Sequence, residues 1–569
     1  MPKAKIETMT GARVVIETLI EQGVTDVFGY PGGQVLHIYD ELYKASDRLR
    51  HILTAHEQGA AHAADGYSRV TGRVGAVIAT SGPGATNLVT GLATAMLDSV
   101  PVVAVTGNVP TSLIGKDSFQ EIDITGVTIP VTKHNFFVTN VDELADTIRD
   151  AFRIAKSGRP GPVLVDIPKD VQTALTSFMR QGPAKPYPNP IASEASLDAA
   201  AKLIAGCRRP YLYVGGGMAG AGLGKEVMKF ASKIGAYVGC SFMGISAIPD
   251  DDKRFLGMQG MHGKYESTAA NKAADLIIGV GVRFSDRATG NTSRYAKDAK
   301  IIHLEVDVSE IGKNIKPTVG IHGDLADSLA RLSAKCEKVS HPAWDRQVAA
   351  LKKTGEALRE QAREADKSPL SPEKILSVIN RYKTDDTVIA TDVGQHQMWT
   401  AQFAHFAKPR RFVSSGGLGT MGFGMGAAIG ASLAAKERAV LVTGDGSFGM
   451  NLNELATAVT YGIPLVIVLM NNGVLGLVRQ TQMLFYEKRC SQTVLNRKTD
   501  YVKLADAFGA WGVRVETAAA FEKAFQKAMN TDGPTLIDAV IDKDELVLPM
   551  MPPDGSLDDI ITTVKKEEN

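Results

Sequence analysis

The sequence predicts an α/β protein of three doubly wound parallel-sheet domains, the first and third of them related. Three observations predict it. A strand–helix–strand unit ends in Gly444-Asp445-Gly446 and then Asn471-Asn472; a long-range internal repeat matches that unit; and two connections of distinct composition set off a middle segment. The 569 residues are 44% hydrophobic and 22% charged, as in a multi-domain globular chain. Lys and Arg number 63 against 62 Asp and Glu, a net charge of +1. That balance gives no attraction to nucleic acid or an anionic membrane. No apolar run reaches the roughly 18 residues of a membrane span, and Met1-Pro-Lys-Ala-Lys-Ile-Glu7 has no apolar signal core. Cys207, Cys240, Cys336 and Cys490 are scattered without metal-ligand spacing, which fits structural thiols in a reducing cytoplasm.

The repeat is visible residue by residue. Ala76-Val-Ile-Ala-Thr80 leads through Asn87 to Leu92-Ala-Thr-Ala95, Pro101 and Asn108. Ala439-Val-Leu-Val-Thr443 leads through Asn451 to Leu455-Ala-Thr-Ala458, Pro464 and Asn471. The offset is 363 at Leu92/Leu455, Pro101/Pro464 and Asn108/Asn471, and 364 at Asn87/Asn451. A register held over three elements implies two related α/β domains, at 1–180 and 370–545. The Pro-rich stretch 181–190 reads as a linker. A charged connection with helical composition over 344–366 closes at Pro372. Residues 191–340 then form a middle domain, and 546–569 a C-terminal tail. The middle domain opens on Tyr211-Leu-Tyr-Val214 and the turn Gly215-Gly-Gly217, with Leu276–Val280 and Ile301–Val306 as further strands. The glycine run suits either a nucleotide contact or a packing turn.

The strand–helix–strand unit carries chemistry. Ala439–Thr443 and Pro464–Met470 read as strands, with the helix-like Asn451–Ala458 between them, a right-handed βαβ unit. Asp445 and Asn472 then sit at the carboxyl ends of nearby strands, the edge where open α/β sheets bind ligands. A carboxylate and an amide oxygen are hard ligands that suit Mg²⁺ holding a diphosphate, and the glycines admit close backbone approach. GDG, a gap of 24 residues (447 to 470) and then Asn-Asn resembles the thiamin diphosphate signature. That cofactor needs a carboxylate beside its aminopyrimidine ring to help C2 lose its proton. Glu57, between Ile52-Leu53 and an Ala-rich helical stretch, is the candidate; a solvated first-turn Glu is the plain alternative.

Blocks along nearly the whole chain resemble the catalytic large subunit of acetohydroxyacid (acetolactate) synthases. They include Phe28-Gly-Tyr-Pro-Gly-Gly33, Ala55-His-Glu-Gln-Gly59, Phe119-Gln-Glu121, Gly260-Met-His-Gly263, Val393-Gly-Gln-His-Gln-Met-Trp399, Gly417–Gly424 and Val547-Leu-Pro-Met-Met-Pro-Pro553. The resemblance implies a transferase that decarboxylates pyruvate and joins the two-carbon unit to a second 2-ketoacid, in branched-chain amino acid (isoleucine, leucine, valine) biosynthesis. It implies Glu57 as the activating carboxylate, and Asp445, Asn472 and the Val474 carbonyl as Mg²⁺ ligands. Gly32, Val393, Gly394, Gln395, His396, Gly419, Gly444, Gly446 and Ser447 fall at cofactor contacts, with Met421 under the bent cofactor. Phe119, Gln120 and Thr481 fall at the substrate pocket, and Arg287 where the second acid's carboxylate is received. A structural FAD is implied at Gly215, Gly216, Gln259, Gly260, Met261, His262, Gly281, Val282, Arg283, Arg287, Glu305, Val306 and Asp324. The resemblance also implies a homodimer or homotetramer, since glutamate and GDG motif then come from different subunits, and a possible small regulatory subunit. A different thiamin diphosphate decarboxylase, oxidase or carboligase is the alternative.

Four departures stand out. Ser285 and Gln259 replace an aspartate and a leucine at the FAD positions, and Met425-Gly426 replaces Leu-Pro, for which only local consequences are expected. Thr481 replaces a tryptophan linked to preference for 2-ketobutyrate. Loss of that apolar wall weakens contact with the extra methylene. In a competition of pyruvate with 2-ketobutyrate, Thr481→Trp is expected to raise the 2-ketobutyrate share about 10-fold or more, since one methylene is worth about 1–3 kcal/mol; an unchanged product ratio refutes this.

Overall fold

The computed structural model describes residues 6–366, 368–552, 554–556 and 558–563. The first five residues assigned to the N-terminal domain, Pro553 of the Val547–Pro553 block, and Leu557 and 564–569 of the tail lie outside the described residues.

Three six-stranded, all-parallel sheets form the core. Across the first run Arg50–Leu53, Asp26–Tyr30, Gly75–Ala79, Val102–Asn108, Val163–Pro168 and His134–Phe137. Across the third run Phe412–Val413, Val388–Thr391, Ala439–Gly444, Leu465–Asn471, Pro534–Val540 and Trp511–Val515. Numbered by chain order within each sheet, both read 2-1-3-4-6-5. The repeat is therefore a repeat of topology. Val102–Asn108 and Leu465–Asn471 stand at the offset of 363 seen in the sequence. Their central strands are continuous Val, Ile, Leu and Ala runs because helices cover both faces.

The middle sheet differs. Its strands run Phe255–Met258, Tyr237–Cys240, Pro210–Val214, Leu276–Val280, Lys300–Glu305 and Val319–His322, which is the 3-2-1-4-5-6 order of dinucleotide-binding folds. The order reverses between Pro210–Val214 and Leu276–Val280, placing Gly215 and Gly281 side by side. The charged connection forms the helix Pro342–Ala365, whose Trp344 is buried. A two-stranded antiparallel ribbon, Ile6–Thr10 with Leu175–Met179, was not anticipated; its strands are about 165 residues apart, so neither run signals the other.

The first and third domains meet through equivalent helices, Glu57–Thr71 and Phe423–Ala435. Each follows the second strand of its own sheet. The contact is backbone to backbone: a Cβ on Gly66 would overlap the Ala427 carbonyl, and one on Gly430 the Ala63 carbonyl. Gly426 also faces the Gly59 carbonyl, where a Cβ would come within 2.5 Å. The Met425-Gly426 departure is thus part of the domain junction and not merely local. The Ala- and Gly-rich sequences of both helices follow from burial over most of their surfaces. Gly430→Val must push the helices apart, at about 1–3 kcal/mol; calorimetry is expected to show a melting temperature about 2 °C or more below the parent.

Candidate active site

The GDG unit folds much as its sequence implies. Ala439–Gly444 and Leu465–Asn471 are adjacent parallel strands, with Gly444 opposite Met470. Asp445 and Asn472 each emerge just beyond the carboxyl end of one of them. The stretch between is not one helix, however. Asp445–Phe448 is a short helix, 449–453 is a turn, and Glu454–Thr460 is the helix proper. Asn451 sits in that turn because its amide donates to the Gly422 carbonyl at 3.2 Å.

Side chains from three loops converge around Asp445. Asn472 Nδ2 donates to Gln395 Oε1 at 3.3 Å, and Asn472 Oδ1 accepts from Val474 N at 3.2 Å. Gln395 Nε2 is fixed by Gln480 Oε1 and the Glu545 carbonyl, both at 2.9 Å. Ser447 Oγ donates to the Val393 carbonyl at 2.8 Å. Gly394 holds φ +152° and ψ −160°, a conformation only glycine adopts readily. A Cβ on Gly444 would meet His396 Nδ1 at 2.8 Å, and one on Gly446 would lie 3.7 Å from Met421 Cε. Gly419, at φ +69°, stands over Val393. Burial pushes the Asp445 carboxyl up to about 6, backbone N–H groups opposing. Burial also lowers His396 to about 3, and its Nε2 is buried without a hydrogen-bond partner. A buried carboxyl at a glycine-flanked turn, close to a buried imidazole nitrogen without a partner, fits a cation-bridged diphosphate.

Glu57 lies elsewhere in the chain. It is the first residue of its helix and 8% exposed, so it is not a solvated first-turn acid. Asn87 Nδ2 donates to its Oε2 at 2.9 Å. A Cβ on Gly84 would lie 3.1 Å from its Oε1, and one on Gly32 would meet the Thr80 side chain. Gln120, at φ +61°, closes over Gly82. Among the described residues no hydrogen bond joins Glu57 to Asp445, Asn472 or Met421. Phe119 is 84% exposed on the first domain.

A cavity of about 1480 Å³ opens at the strand-order reversal of the middle sheet. Gly216, Gln259, Met261, His262, Gly281, Val282, Arg283, Arg287, Glu305, Val306 and Asp324 line it, as do Gly419 and Thr481. Gly215 and Gly260 lie just behind, where a Cβ on either would strike backbone. The Gly281 φ of +56° brings its carbonyl to the Gly217 N–H at 3.0 Å. The buried Gln259 amide and Tyr213 hydroxyl have no partner, so a polar ligand group would complete them. Ser285 caps the helix Asp286–Thr289 through Arg287 N, a role its aspartate replacement could share. The Arg287 side chain is 74% exposed, and among the described residues its polar neighbours are Asp286, at 3.7 Å, and Met261 Sδ, at 3.9 Å. The tail returns to this cavity: Met551 N donates to the Met261 carbonyl, and the Pro549 carbonyl lies 3.0 Å from His262 Nδ1.

Sequence reasoning missed two carboxylates. Asp392 is buried and accepts from Val393 N and Gly422 N, tying the loop at Val393-Gly394 to the Met421 loop. Glu454 is fully buried and accepts from Ala55 N and His56 N of the first domain. Each looks in sequence like an ordinary strand-end or helix acid. Of the two, only Glu454 falls within the repeat, on the helix related to Val89–Asp98.

Comparison with known proteins accords with this geometry. Three thiamine pyrophosphate enzyme models match in succession: the N-terminal TPP binding domain at 9–127, the central domain at 197–332 and the C-terminal TPP binding domain at 392–539. Fold and matches define a thiamine pyrophosphate enzyme. The acetolactate synthase large subunit of Corynebacterium glutamicum is 44% identical, over 97% of this chain and 90% of that protein. The probable acetolactate synthase large subunit of Methanocaldococcus jannaschii is 44% identical over 98% and 96%. Acetolactate synthase isozyme 2 large subunit of Escherichia coli is 42% identical over 96% and 98%. The chain belongs to the acetolactate synthase large-subunit family.

Glu305 gives a test of the cavity's electrostatics. Burial pushes its carboxyl up to about 7, against 4.5 in the unfolded chain, with Asp307 and Val306 N–H groups opposing. The protonated form therefore suits the fold. Stability is lost as pH rises from about 4.5 through about 7, by on the order of 3 kcal/mol. Between pH 5 and 8 the melting temperature of the ligand-free protein should fall more steeply than that of Glu305→Gln.

Proposed function

We propose that this chain is the catalytic chain of an acetolactate synthase. It decarboxylates pyruvate and joins the two-carbon unit to the ketone of a second 2-ketoacid, pyruvate or 2-ketobutyrate, for branched-chain amino acid synthesis in the cytoplasm. The observation that carries the reading is the pairing of Asp445 and Asn472 beyond adjacent strand ends, with His396 and Gln395 around them.

Bound thiamin diphosphate supplies a nucleophilic carbon that attacks a ketone and accepts the electrons left by departing CO₂. The protein's residues do the rest. Asp445, Asn472 and the Val474 carbonyl hold Mg²⁺, and loop N–H groups at Gly394 and Gly446 receive the diphosphate. Met421, against the GDG turn, supports the cofactor from below. Glu57, kept from water and oriented by Asn87, holds a proton at the aminopyrimidine nitrogen. Arg287 receives the second acid's carboxylate; its guanidinium is free of strong partners and faces the cavity that Thr481 also lines. A structural FAD fits that cavity, whose switch-point position, glycine turn and unpaired Gln259 and Tyr213 suit a dinucleotide.

Among the described residues no hydrogen bond joins Glu57 to the Asp445 site, which supports a homodimer or a tetramer of such dimers. Exposed Phe119, Tyr30 and Tyr43 on the first domain suit such a contact. The relatives' designation as large subunits supports a smaller regulatory partner. Among the described residues no helix is long and apolar enough to cross a membrane.

One assay of the purified protein with pyruvate, thiamin diphosphate, Mg²⁺ and FAD tests the reading by scoring acetolactate, acetaldehyde and peroxide together. Acetolactate as the main product supports it; aldehyde or peroxide in its place overturns it. Glu57→Gln and Asp445→Asn should each lower turnover about 100-fold or more. Co-expressed, they should recover about a quarter of parental activity, since half the dimers then carry one site with both residues intact.

A further inference from the structure

The turn that carries Glu57 is held by the other half of the chain. Glu454 Oε2 accepts from Ala55 N at 3.2 Å and Oε1 from His56 N at 3.0 Å. Its position is set by Thr457 Oγ1, which donates at 2.7 Å. Tyr461, one helical turn beyond Thr457, accepts from Leu53 N at 2.9 Å. Three successive points of the segment leading into Glu57 thus end on one third-domain helix and the residue just past it. A Cβ on Gly59 would overlap the Glu454 carboxylate, so the start of the Glu57 helix rests directly on it.

The same arrangement exists in reverse. The helix Val89–Asp98 is the first-domain equivalent of Glu454–Thr460. Its Asp98 accepts from Gly416 N at 3.1 Å and from Gly417 N at 2.6 Å. Its Thr94 Oγ1 lies 2.7 Å from Thr420 Oγ1. That loop carries Met421. The repeat offset of 363 relates Thr94 to Thr457 and Asp98 to Tyr461. Each domain therefore fixes the other's strand-to-helix turn with the same helix.

We propose that Glu454 is a positioning residue for Glu57: a buried third-domain carboxylate that sets, through two backbone N–H groups, where the activating carboxylate stands. This rests on the reading of Glu57 given above. Glu454 touches neither cofactor nor substrate, and its effect is geometric. Two hydrogen bonds from adjacent N–H groups to one carboxyl fix the orientation of the peptides just before the helix. Glu57 follows directly, and among the described residues Asn87 alone hydrogen-bonds its side chain.

The test uses the full-length protein with thiamin diphosphate and Mg²⁺. It compares the parent with Glu57→Gln, Glu454→Gln and Tyr461→Phe. Exchange of the cofactor C2 proton for deuterium is followed by rapid quench and NMR, and cofactor affinity by calorimetry. Glu454→Gln keeps the side-chain shape but turns an NH₂ toward one of the two N–H donors. It should slow exchange about 10- to 100-fold, as misplacement near 1 Å does, with cofactor affinity within about threefold of the parent. Tyr461→Phe should slow exchange a few-fold at unchanged affinity. Glu57→Gln should nearly abolish exchange. If it does not, the reading of Glu57 itself fails. If Glu57→Gln is slow but Glu454→Gln exchanges at the parental rate, the proposal fails alone. Equal loss of exchange and affinity in Glu454→Gln makes its role merely structural and also overturns the proposal. Should Glu454→Gln not fold, Tyr461→Phe decides: slowed exchange supports the clamp, and a parental rate refutes it.

Discussion

The close approach of the helices Glu57–Thr71 and Phe423–Ala435 governs the molecule. Gly66 against the Ala427 carbonyl, and Gly430 against that of Ala63, leave no room for side chains. At that distance the loops at each helix start fall within reach of the opposite domain's side chains. Glu454 can then meet Ala55 and His56, and Asp98 can meet Gly416 and Gly417. Backbone contact thus turns two separately folded sheets into one rigid support. Water is excluded from the junction, so the hydrogen bonds made there act in a low-dielectric setting.

Much of this was legible in the sequence because its signals are periodic or spaced. The apolar runs Ala439–Thr443 and Pro464–Met470 marked the strands, and the offset of 363 marked the duplication. The Pro-rich segment and charged helix set off the middle unit. What stayed hidden depends on contacts far apart in sequence. The ribbon of Ile6–Thr10 with Leu175–Met179 has no local signature. Asp392 and Glu454 are acids whose burial comes from tertiary packing, and nothing in their neighbours separates them from surface acids. The helix expected over Asn451–Ala458 starts only at Glu454, because Asn451 is drawn into a turn by the Gly422 carbonyl, and the short helix Asp445–Phe448 has no local signal of its own. Glu57 was visible as a candidate, but its shielding from water was not.

The middle domain follows a different logic from its flanks. Its strand order makes one switch point, and the glycines at 215–217 and 281 crowd that point so tightly that only backbone fills it. The unpaired Gln259 and Tyr213 then lie at the floor of a cavity whose rim includes Thr481 from the third domain and Met551 from the tail. Ligand occupancy of this cavity would bridge segments that are otherwise joined by few hydrogen bonds.

The two related halves have kept one amide for two purposes. Asn87 and Asn451 are repeat equivalents, and each reaches the start of its domain's long helix. Asn87 grips the side chain of Glu57, whereas Asn451 grips the main chain at Gly422. A symmetric pair of identical half-chains would have to carry the acid and the Asp445 turn on every copy. In one polypeptide the two halves need not match, and the repeated asparagine braces a side chain in one and the main chain in the other.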